Sequence, residues 1–197
     1  KYVASGQMNY MVFKAFVCLW DFASGVLLVK YDTHKVRVAS VIFSSCESFL
    51  FSLGGQDDGQ VVVYDVKNKS VICGASLSNV ASGTACTLKA TVTRGQCFLS
   101  GGEGHLKTWI VDPARRLLKE VNVSLGKIRR VITCFEITSD DSYAYCGTTS
   151  GDILKLNLNY TSDPSLVKQD SPPVLMGCYG KLVKKKVSNK LKNVDSE

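Results

Sequence analysis

One spacing recurs along this chain and constrains its fold more than any other feature. Three glycines each stand five residues before a large apolar residue: Gly59 before Tyr64, Gly104 before Trp109, and Gly151 before Leu156. Upstream, Trp20-Asp21 ends a similar segment that lacks the glycine. The large residues at positions 20, 64, 109 and 156 are 44, 45 and 47 residues apart. Self-similarity at this period predicts a repeat architecture, in which neighbouring units bury each other's apolar faces.

The residues within each unit favour β-strands, because short β-branched and aromatic runs alternate with Gly, Ser, Asp and Asn. We predict strands at residues 2–5, 16–20, 39–43, 49–52, 61–66, 70–73, 86–90, 97–100, 106–110, 119–123, 131–137, 143–146, 153–158 and 174–176. No segment has the 3.6-residue period of a long amphipathic helix, so we expect very little helix. A period near 44 with Trp-Asp at a strand end resembles the WD40 repeat, whose unit is one four-stranded β-propeller blade.

The predicted turns and the number of units agree with part of such a propeller. Glycine-rich segments at 54–59, 101–104 and 148–151 should link the second and third strands of successive blades, since glycine supplies the positive φ of tight hairpins. We expect residues 1–180 to form a partial, all-β WD40 propeller with about three complete four-stranded blades plus partial blades. Propellers close with four to eight blades, so we expect a piece of a longer polypeptide that begins within a repeat.

Residues 181–197 form a Lys-rich tail whose charge separates it from the rest of the chain. Six lysines and two carboxylates give these 17 residues +4 of the net +7, which leaves +3 for the other 180. A basic tail suits an acidic partner or is simply solvated. It has no interleaved aromatic residues, which disfavours nucleic acid. No apolar run reaches about 18 residues, and the first residues do not resemble a signal peptide, so we expect no membrane association.

The eight cysteines do not form a metal or redox motif, because no two of them are closer than 11 residues. Most lie in apolar strand contexts, where a free cysteine acts as a small hydrophobic residue. We therefore expect structural thiols, no metal and no cofactor.

His34 is the candidate most relevant to chemistry, since it stands 30 residues before Tyr64. WD40 repeats place a histidine there, between the outer and inner strands, where it hydrogen-bonds to an aspartate of the next hairpin; here that is Asp57 or Asp58. A His–Asp general base would also need a nucleophile and a pocket, for which no motif exists.

We predict structural roles for His34, Asp57 and Asp58 and for four positions of the repeat, Trp20, Asp21, Tyr64 and Trp109. We expect His105 and the Asp140-Asp141 pair to be solvated.

Residues 6–15 (GQMNYMVFKA) form an apolar loop that is longer than the other predicted turns. This loop could contact a partner or fold over the rim of the propeller. We predict Tyr10, Phe13 and Phe16 as its anchors for a partner. Basic residues Lys127, Arg129 and Arg130 could meet an acidic partner or lie on a solvated loop.

Several strings are more specific than the period. Residues 52–64 (SLGGQDDGQVVVY), 2–7 (YVASGQ), 13–15 (FKA), 19–21 (LWD), 71–74 (VICG) and 147–155 (GTTSGDILK) resemble the ciliary WD-repeat family of cilia- and flagella-associated protein 52. The resemblance covers about residues 2–158. It implies the first of two tandem propellers in a non-enzymatic microtubule inner protein, which binds tubulin and other axonemal proteins and stabilises doublet microtubules of the cilium or flagellum.

This resemblance implies a protein of the cytoplasm, cytoskeleton and axoneme with no small-molecule substrate and no catalytic residues. A soluble WD40 adaptor, such as a ubiquitin-ligase substrate receptor or a trafficking-complex subunit, is the alternative that the fold permits.

Overall fold

The computed structural model describes residues 1–9, 11, 13–77, 84–123, 130–158 and 174–177, and these contain strands and no helix. The Lys-rich tail at 181–197 lies outside them. The strands are β1 (Tyr2–Gly6), β2 (Ala15–Asp21), β3 (Leu27–His34), β4 (Val38–Phe43), β5 (Phe49–Gly54), β6 (Gln60–Asp65), β7 (Ser70–Ser76), β8 (Thr84–Ala90), β9 (Cys97–Glu103), β10 (His105–Asp112), β11 (Leu117–Asn122), β12 (Ile132–Ile137), β13 (Tyr143–Thr148), β14 (Ile153–Asn157) and β15 (Val174–Gly177).

The strands of this part of the chain form four antiparallel sheets, and every hydrogen-bonded pair is consecutive in sequence. The first sheet is β1-β2-β3, the second β4 to β7, the third β8 to β11, and the fourth β12 to β15. Each sheet is therefore a meander, and each four-stranded sheet corresponds to one predicted blade. The all-β prediction is confirmed, and the three four-stranded sheets coincide with the three predicted sets of four strands.

The first sheet differs from the prediction, which gave it two strands. The structure adds β3, which pairs with β2 along its length from Ala15↔His34 to Trp20↔Leu27. The run of β3 was missed because Lys30 and Asp32 interrupt its apolar residues. Both side chains lie on one face of the strand, as alternation requires, and Lys30 covers the ring of Phe16 at 3.6 Å.

Glycines occupy the hairpins as predicted. Gly59, Gly104 and Gly151 have φ of 57°, 60° and 74°, a left-handed conformation that costs glycine little. They stand between β5 and β6, β9 and β10, and β13 and β14, so the five-residue spacing places each following large residue on the third strand of its sheet.

The core consists of three apolar layers, one between each pair of adjacent sheets. Val17 and Leu19 of the first sheet pack against Leu50 and Tyr64 of the second. Between the second and third sheets, the rings of Phe51 and Phe98 stack with their centroids 4.3 Å apart. Leu99 and Leu106 of the third sheet meet the fourth through Ile132, Phe135, Cys146 and Leu154.

The outward faces of the first and fourth sheets each carry a lysine over an aromatic ring. Val17 and Leu19 point to the second sheet, so the alternate residues Phe16, Cys18 and Trp20 project the other way. On the fourth sheet the outward face carries Lys155, whose ammonium lies 3.6 Å from the centre of the Tyr143 ring.

Gly101 on β9 allows the third and fourth sheets to approach closely. A Cβ at this position would lie 2.4 Å from Cζ of Phe135 and 2.9 Å from Cγ2 of Ile132. Both distances are shorter than real contacts, so the missing side chain is a requirement of this interface.

We predict that Gly101→Ala lowers the free energy of unfolding by about 1–3 kcal/mol, because the added methyl overpacks the interface. Phe135→Leu should reduce that loss by shortening the opposing side chain. Urea unfolding of both single variants and the double variant measures the coupling. If Gly101→Ala lowers the free energy of unfolding by the same amount with and without Phe135→Leu, the contact with Phe135 is not the cause of the loss.

Candidate functional site

An aromatic side chain and a serine hydroxyl are joined by a hydrogen bond in three of the described sheets. Nε1 of Trp20 donates to Oγ of Ser5 at 2.9 Å. Tyr64 and Ser52 share a hydrogen bond of 2.9 Å between their hydroxyls. Nε1 of Trp109 donates to Oγ of Ser100 at 2.7 Å. Ser52, Tyr64, Ser100 and Trp109 are each 0 % exposed, so these bonds satisfy polar atoms that water cannot reach.

The strand register explains why this pair recurs. The residues opposite the serines are Cys18 for Ser5, Val62 for Ser52 and Lys107 for Ser100. In every case the aromatic residue stands two positions after that opposite residue, on the same face of the sheet. A diagonal neighbour of this kind is within reach of a large side chain. The spacing near 44 residues in the sequence therefore reflects one repeated cross-strand contact.

The fourth sheet has the same geometry without the polar atoms. Cys146 stands opposite Leu154, and Leu156 follows two residues later. Cys146 is 0 % and Leu156 2 % exposed. The serine hydroxyl and the aromatic donor are both replaced here, so no buried hydrogen-bonding group of the pair is left without a partner. Burial, with a smaller contribution from Cys134, raises the pKa of the Cys146 thiol to about 12, so the side chain stays neutral.

In the second sheet, His34 extends the pair into a network that joins two sheets. His34 closes β3 of the first sheet, and its Nδ1 lies 2.6 Å from Oδ2 of Asp58. Its Nε2 lies 2.6 Å from Oγ of Ser52. Thr33 shares a 2.5 Å hydrogen bond with the hydroxyl of Tyr64. Of the two candidate carboxylates, the structure pairs His34 with Asp58, while Asp57 is exposed in the same turn.

The order Ser52, His34, Asp58 has the connectivity of a catalytic triad. A triad needs a nucleophile that a substrate can reach. Here His34 is 2 % and Ser52 0 % exposed, and the Ser52 hydroxyl is also engaged by Tyr64. This burial makes the arrangement suited to fixing the two sheets and unsuited to hydrolysis.

His105 is buried, and the expectation that it would be solvated is wrong. It is 1 % exposed, and its Nε2 lies 2.7 Å from Oγ of Ser100. His105 stands four residues before Trp109, so both project from the same face of β10 toward the second sheet. That even spacing was the available signal in the sequence.

The fourth sheet uses an ion pair near the equivalent position. Arg130, in the segment before β12, donates from Nε to Oδ2 of Asp152, which is 2 % exposed. Asp152, four residues before Leu156, also donates its backbone N–H to Oγ1 of Thr148 at 3.2 Å. Arg130 thus braces the sheet, while the other two basic residues predicted in this cluster lie outside the described residues.

Asp141 is also buried, which corrects the expectation that the Asp140-Asp141 pair would be solvated. Its carboxylate accepts the backbone N–H groups of Val92 and Thr93 at 2.7 and 2.8 Å, linking the turn after β12 to the turn after β8. Burial raises the pKa of Asp141, but hydrogen bonds from Thr93 and Val92 outweigh it, so the net shift is downward. Its neighbour Asp140 remains exposed.

The aspartates that follow Trp20 and Tyr64 close turns. Asp21 accepts the backbone N–H of Ser24 at 2.8 Å and its hydroxyl at 2.7 Å, and these bonds lower the pKa of Asp21. Asp65 similarly accepts the backbone N–H of Asn68 at 2.8 Å. The Asp of the repeat thus shapes the turn to the last strand of its sheet.

The predicted anchors in and next to the loop between β1 and β2 differ in exposure. Tyr10 lies outside the described residues. Phe13 is 69 % exposed with φ of 54°. Phe16, on β2, is half-buried beneath Lys30 on the outward face of the first sheet. Sequence reasoning missed Met8 and Met11, which are 58 % and 90 % exposed.

The burial of the described cysteines varies, which partly corrects the expectation of buried thiols. Cys18, Cys97 and Cys146 are buried and Cys73 is half-buried, whereas Cys46, Cys86 and Cys134 are exposed. Within the described ranges no group of three or more His, Cys, Asp or Glu side chains could hold a metal. No helix there is long and apolar enough to cross a membrane.

We predict that Ser52→Ala lowers the free energy of unfolding by about 1–3 kcal/mol, because it leaves His34 and Tyr64 without their shared buried partner. Chemical denaturation measures the loss. Ser70→Ala, at an exposed strand position, is the matched control and should change stability by less than about 0.5 kcal/mol. Equal effects of the two substitutions would contradict a network centred on Ser52.

A second prediction concerns acid. Hydrogen bonds from the side chains of Ser142 and Thr138 lower the pKa of Asp140 from 3.8 to about 2. The unfolded chain therefore takes up this proton first as the pH falls, and the carboxylate's stabilising effect is complete above 3.8 and lost toward about 2. Asp140→Asn and Ser142→Ala should each flatten the decline in stability across this window in acid titrations. An unchanged slope in both variants would refute the assignment.

Comparison with known proteins places this geometry in context. No model of a protein family matches the chain. It is 36 % identical over 157 residues to human cilia- and flagella-associated protein 52, which covers 80 % of this chain and 25 % of the relative. The Chlamydomonas reinhardtii protein of the same name is 37 % identical over 158 residues, with 80 % and 25 % covered. The chain thus spans about a quarter of the curated relatives it matches.

Solved structures show the same fold at low identity. The WD40 repeats of RRP9 match with a TM-score of 0.61 at 18 % identity, covering 81 % of this chain and 43 % of that one. The Cps50 (Swd1) β-propeller domain of Myceliophteria thermophila matches with a TM-score of 0.60 at 13 % identity, covering 79 % and 52 %. The chain has the fold of part of a WD40 β-propeller, and its sequence is similar to that of cilia- and flagella-associated protein 52.

Proposed function

We propose that the chain is part of a non-enzymatic scaffold that binds tubulin and other axonemal proteins and stabilises doublet microtubules of cilia or flagella. The observation that carries this proposal is the 36 % identity to cilia- and flagella-associated protein 52 over 80 % of the chain. That identity is twice the 18 % shared with the RRP9 repeats, and is therefore more than a common fold requires.

The geometry supports a scaffold. Its polar networks at His34, His105 and Asp152 are buried, and each joins elements of the propeller. A propeller braced in this way holds its surface loops in fixed relative positions. Simultaneous contact with several tubulin subunits of a microtubule requires such an arrangement. Each contact can be modest, because several sites on one rigid body add their effects on binding.

We assign the partner contacts mainly to the loops and rims, since the second and third sheets are packed against neighbouring sheets on both faces. Tyr10, Phe13 and Phe16 remain proposed anchors, with Phe13 the exposed one among those described. The Lys-rich tail at 181–197 is a second candidate for contact with an acidic surface.

The proposal predicts where the full-length protein is found. A tagged copy expressed in cells with motile cilia should remain with axonemal microtubules after detergent extraction and a high-salt wash. Immunoblots of the soluble, salt-washed and axonemal fractions provide the measurement, with a cytosolic enzyme as the extraction control. A diffuse cytoplasmic distribution and absence from washed axonemes would refute the proposal. Co-purification with ligase or coat subunits in place of tubulin would favour a soluble adaptor.

A further inference from the structure

The connection between β1 and β2 is longer than its counterparts in the other sheets. It covers residues 7–14, whereas 55–59, the single residue 104, and 149–152 serve the second, third and fourth sheets. Because hairpins of two to five residues suffice to reverse a chain, the extra residues here have no role in reversing the strand direction. We refer to residues 7–14 as the apolar loop.

The base of the apolar loop is held against the segment that leads into β4. The backbone N–H of Val38 donates to Gln7 O at 2.9 Å, and Asn9 N–H donates to Val36 O at 2.7 Å. Met8 and Arg37 form an isolated antiparallel bridge between these bonds. These contacts fix where the apolar loop leaves the body of the propeller.

The apolar loop exposes large apolar side chains that do not pack into the core. Met11 is 90 %, Phe13 69 % and Met8 58 % exposed. Phe13 also has a φ of 54°, in the left-handed region that bulky residues avoid. A strained and exposed phenylalanine lowers stability, so its presence suggests a benefit gained only on contact with another molecule.

Cations flank these side chains. Lys35 and Arg37 are exposed, and within the described residues neither side chain belongs to an ion pair closer than 4.0 Å. Lys14 is neutralised by Asp32 at 2.7 Å. Asp58 is engaged by His34, which leaves Asp57 as the exposed carboxylate of the nearest turn. The surface around the apolar loop thus has an excess of positive charge, which Lys35 and Arg37 provide.

We propose that Met8, Met11 and Phe13, together with Lys35 and Arg37, form a docking surface for an acidic patch on a partner protein. This inference rests on the proposed function, in which the partner is tubulin. Methionine side chains adapt to irregular surfaces, and an aromatic ring supplies a rigid anchor. The cations speed the encounter and select an acidic surface. Phe16, still a proposed anchor, is not part of this docking surface, because it lies under Lys30 on the outward face of the first sheet.

Two variants of the full-length protein separate the apolar from the charged contribution. Met11→Ser with Phe13→Asn should weaken co-sedimentation with polymerised tubulin about tenfold at every salt concentration. Its melting temperature should not fall, because asparagine tolerates the left-handed conformation. Lys35→Glu with Arg37→Glu should weaken binding about tenfold at low salt, with the difference shrinking as salt screens the charges.

Val92→Ser with Leu117→Ser provides the matched control, since these residues are 46 % and 48 % exposed on other turns and strands. The control should bind within about twofold of the unmodified protein. Unchanged tubulin binding by either test variant would overturn the docking surface while leaving the proposed function intact.

A second readout covers the case in which the unmodified protein does not bind tubulin, which would refute the proposed function. A photo-crosslinking amino acid at position 11 of the full-length protein, activated in cilia, reports the neighbour directly. Crosslinks that map to a carboxylate-rich segment, and that disappear with Lys35→Glu and Arg37→Glu, would support the docking surface. Crosslinks to lipid or to the same chain, or none, would overturn it.

Discussion

The diagonal contact between a serine on one strand and an aromatic ring on the next is the constraint on which the other features depend. In the second and third sheets its donor and acceptor are buried, so it requires a single strand register there. That register points Val17, Phe51, Leu99 and their equivalents into the layers between sheets. A slip of one residue would expose these layers and bury the unpaired hydroxyls, which couples polar satisfaction to apolar packing.

The same requirement is met in different ways around the arc. His34 crosses from the first sheet to Asp58 and Ser52 of the second, while His105 reaches Ser100 within the third. The fourth sheet substitutes Arg130 and Asp152 and removes the serine–aromatic pair. What the three sites share is the burial of His34, His105 and Asp152, whereas the partners of these side chains vary.

Much of the fold followed from local patterns, and the errors have physical causes. The period and the glycines predicted the meanders, because the residues that set a hairpin lie within it. Strand β3 was missed since Lys30 and Asp32 share its outward face, a property of the sheet that the local composition hides. His105 and Asp141 were expected in solvent because their partners, Ser100 and the turn at 92–93, are known only from the register and from contacts between sheets. The exposed methionines of the apolar loop were passed over for aromatic residues, although a loop tip lets either project.

The location of the paired atoms bears on how such a chain can change in length over evolution. Both members of the Trp109–Ser100 pair lie in one hairpin. Duplication or loss of that hairpin therefore adds or removes both atoms together and leaves neither of them without its partner. His34 behaves differently, because it belongs to one repeat by sequence and serves the next. A recombination point between β3 and β4 would separate it from Asp58, whereas one before β8 would keep the Ser100–His105 hydrogen bond within one sheet. The joints between repeats are therefore not equivalent as places for insertion or exchange.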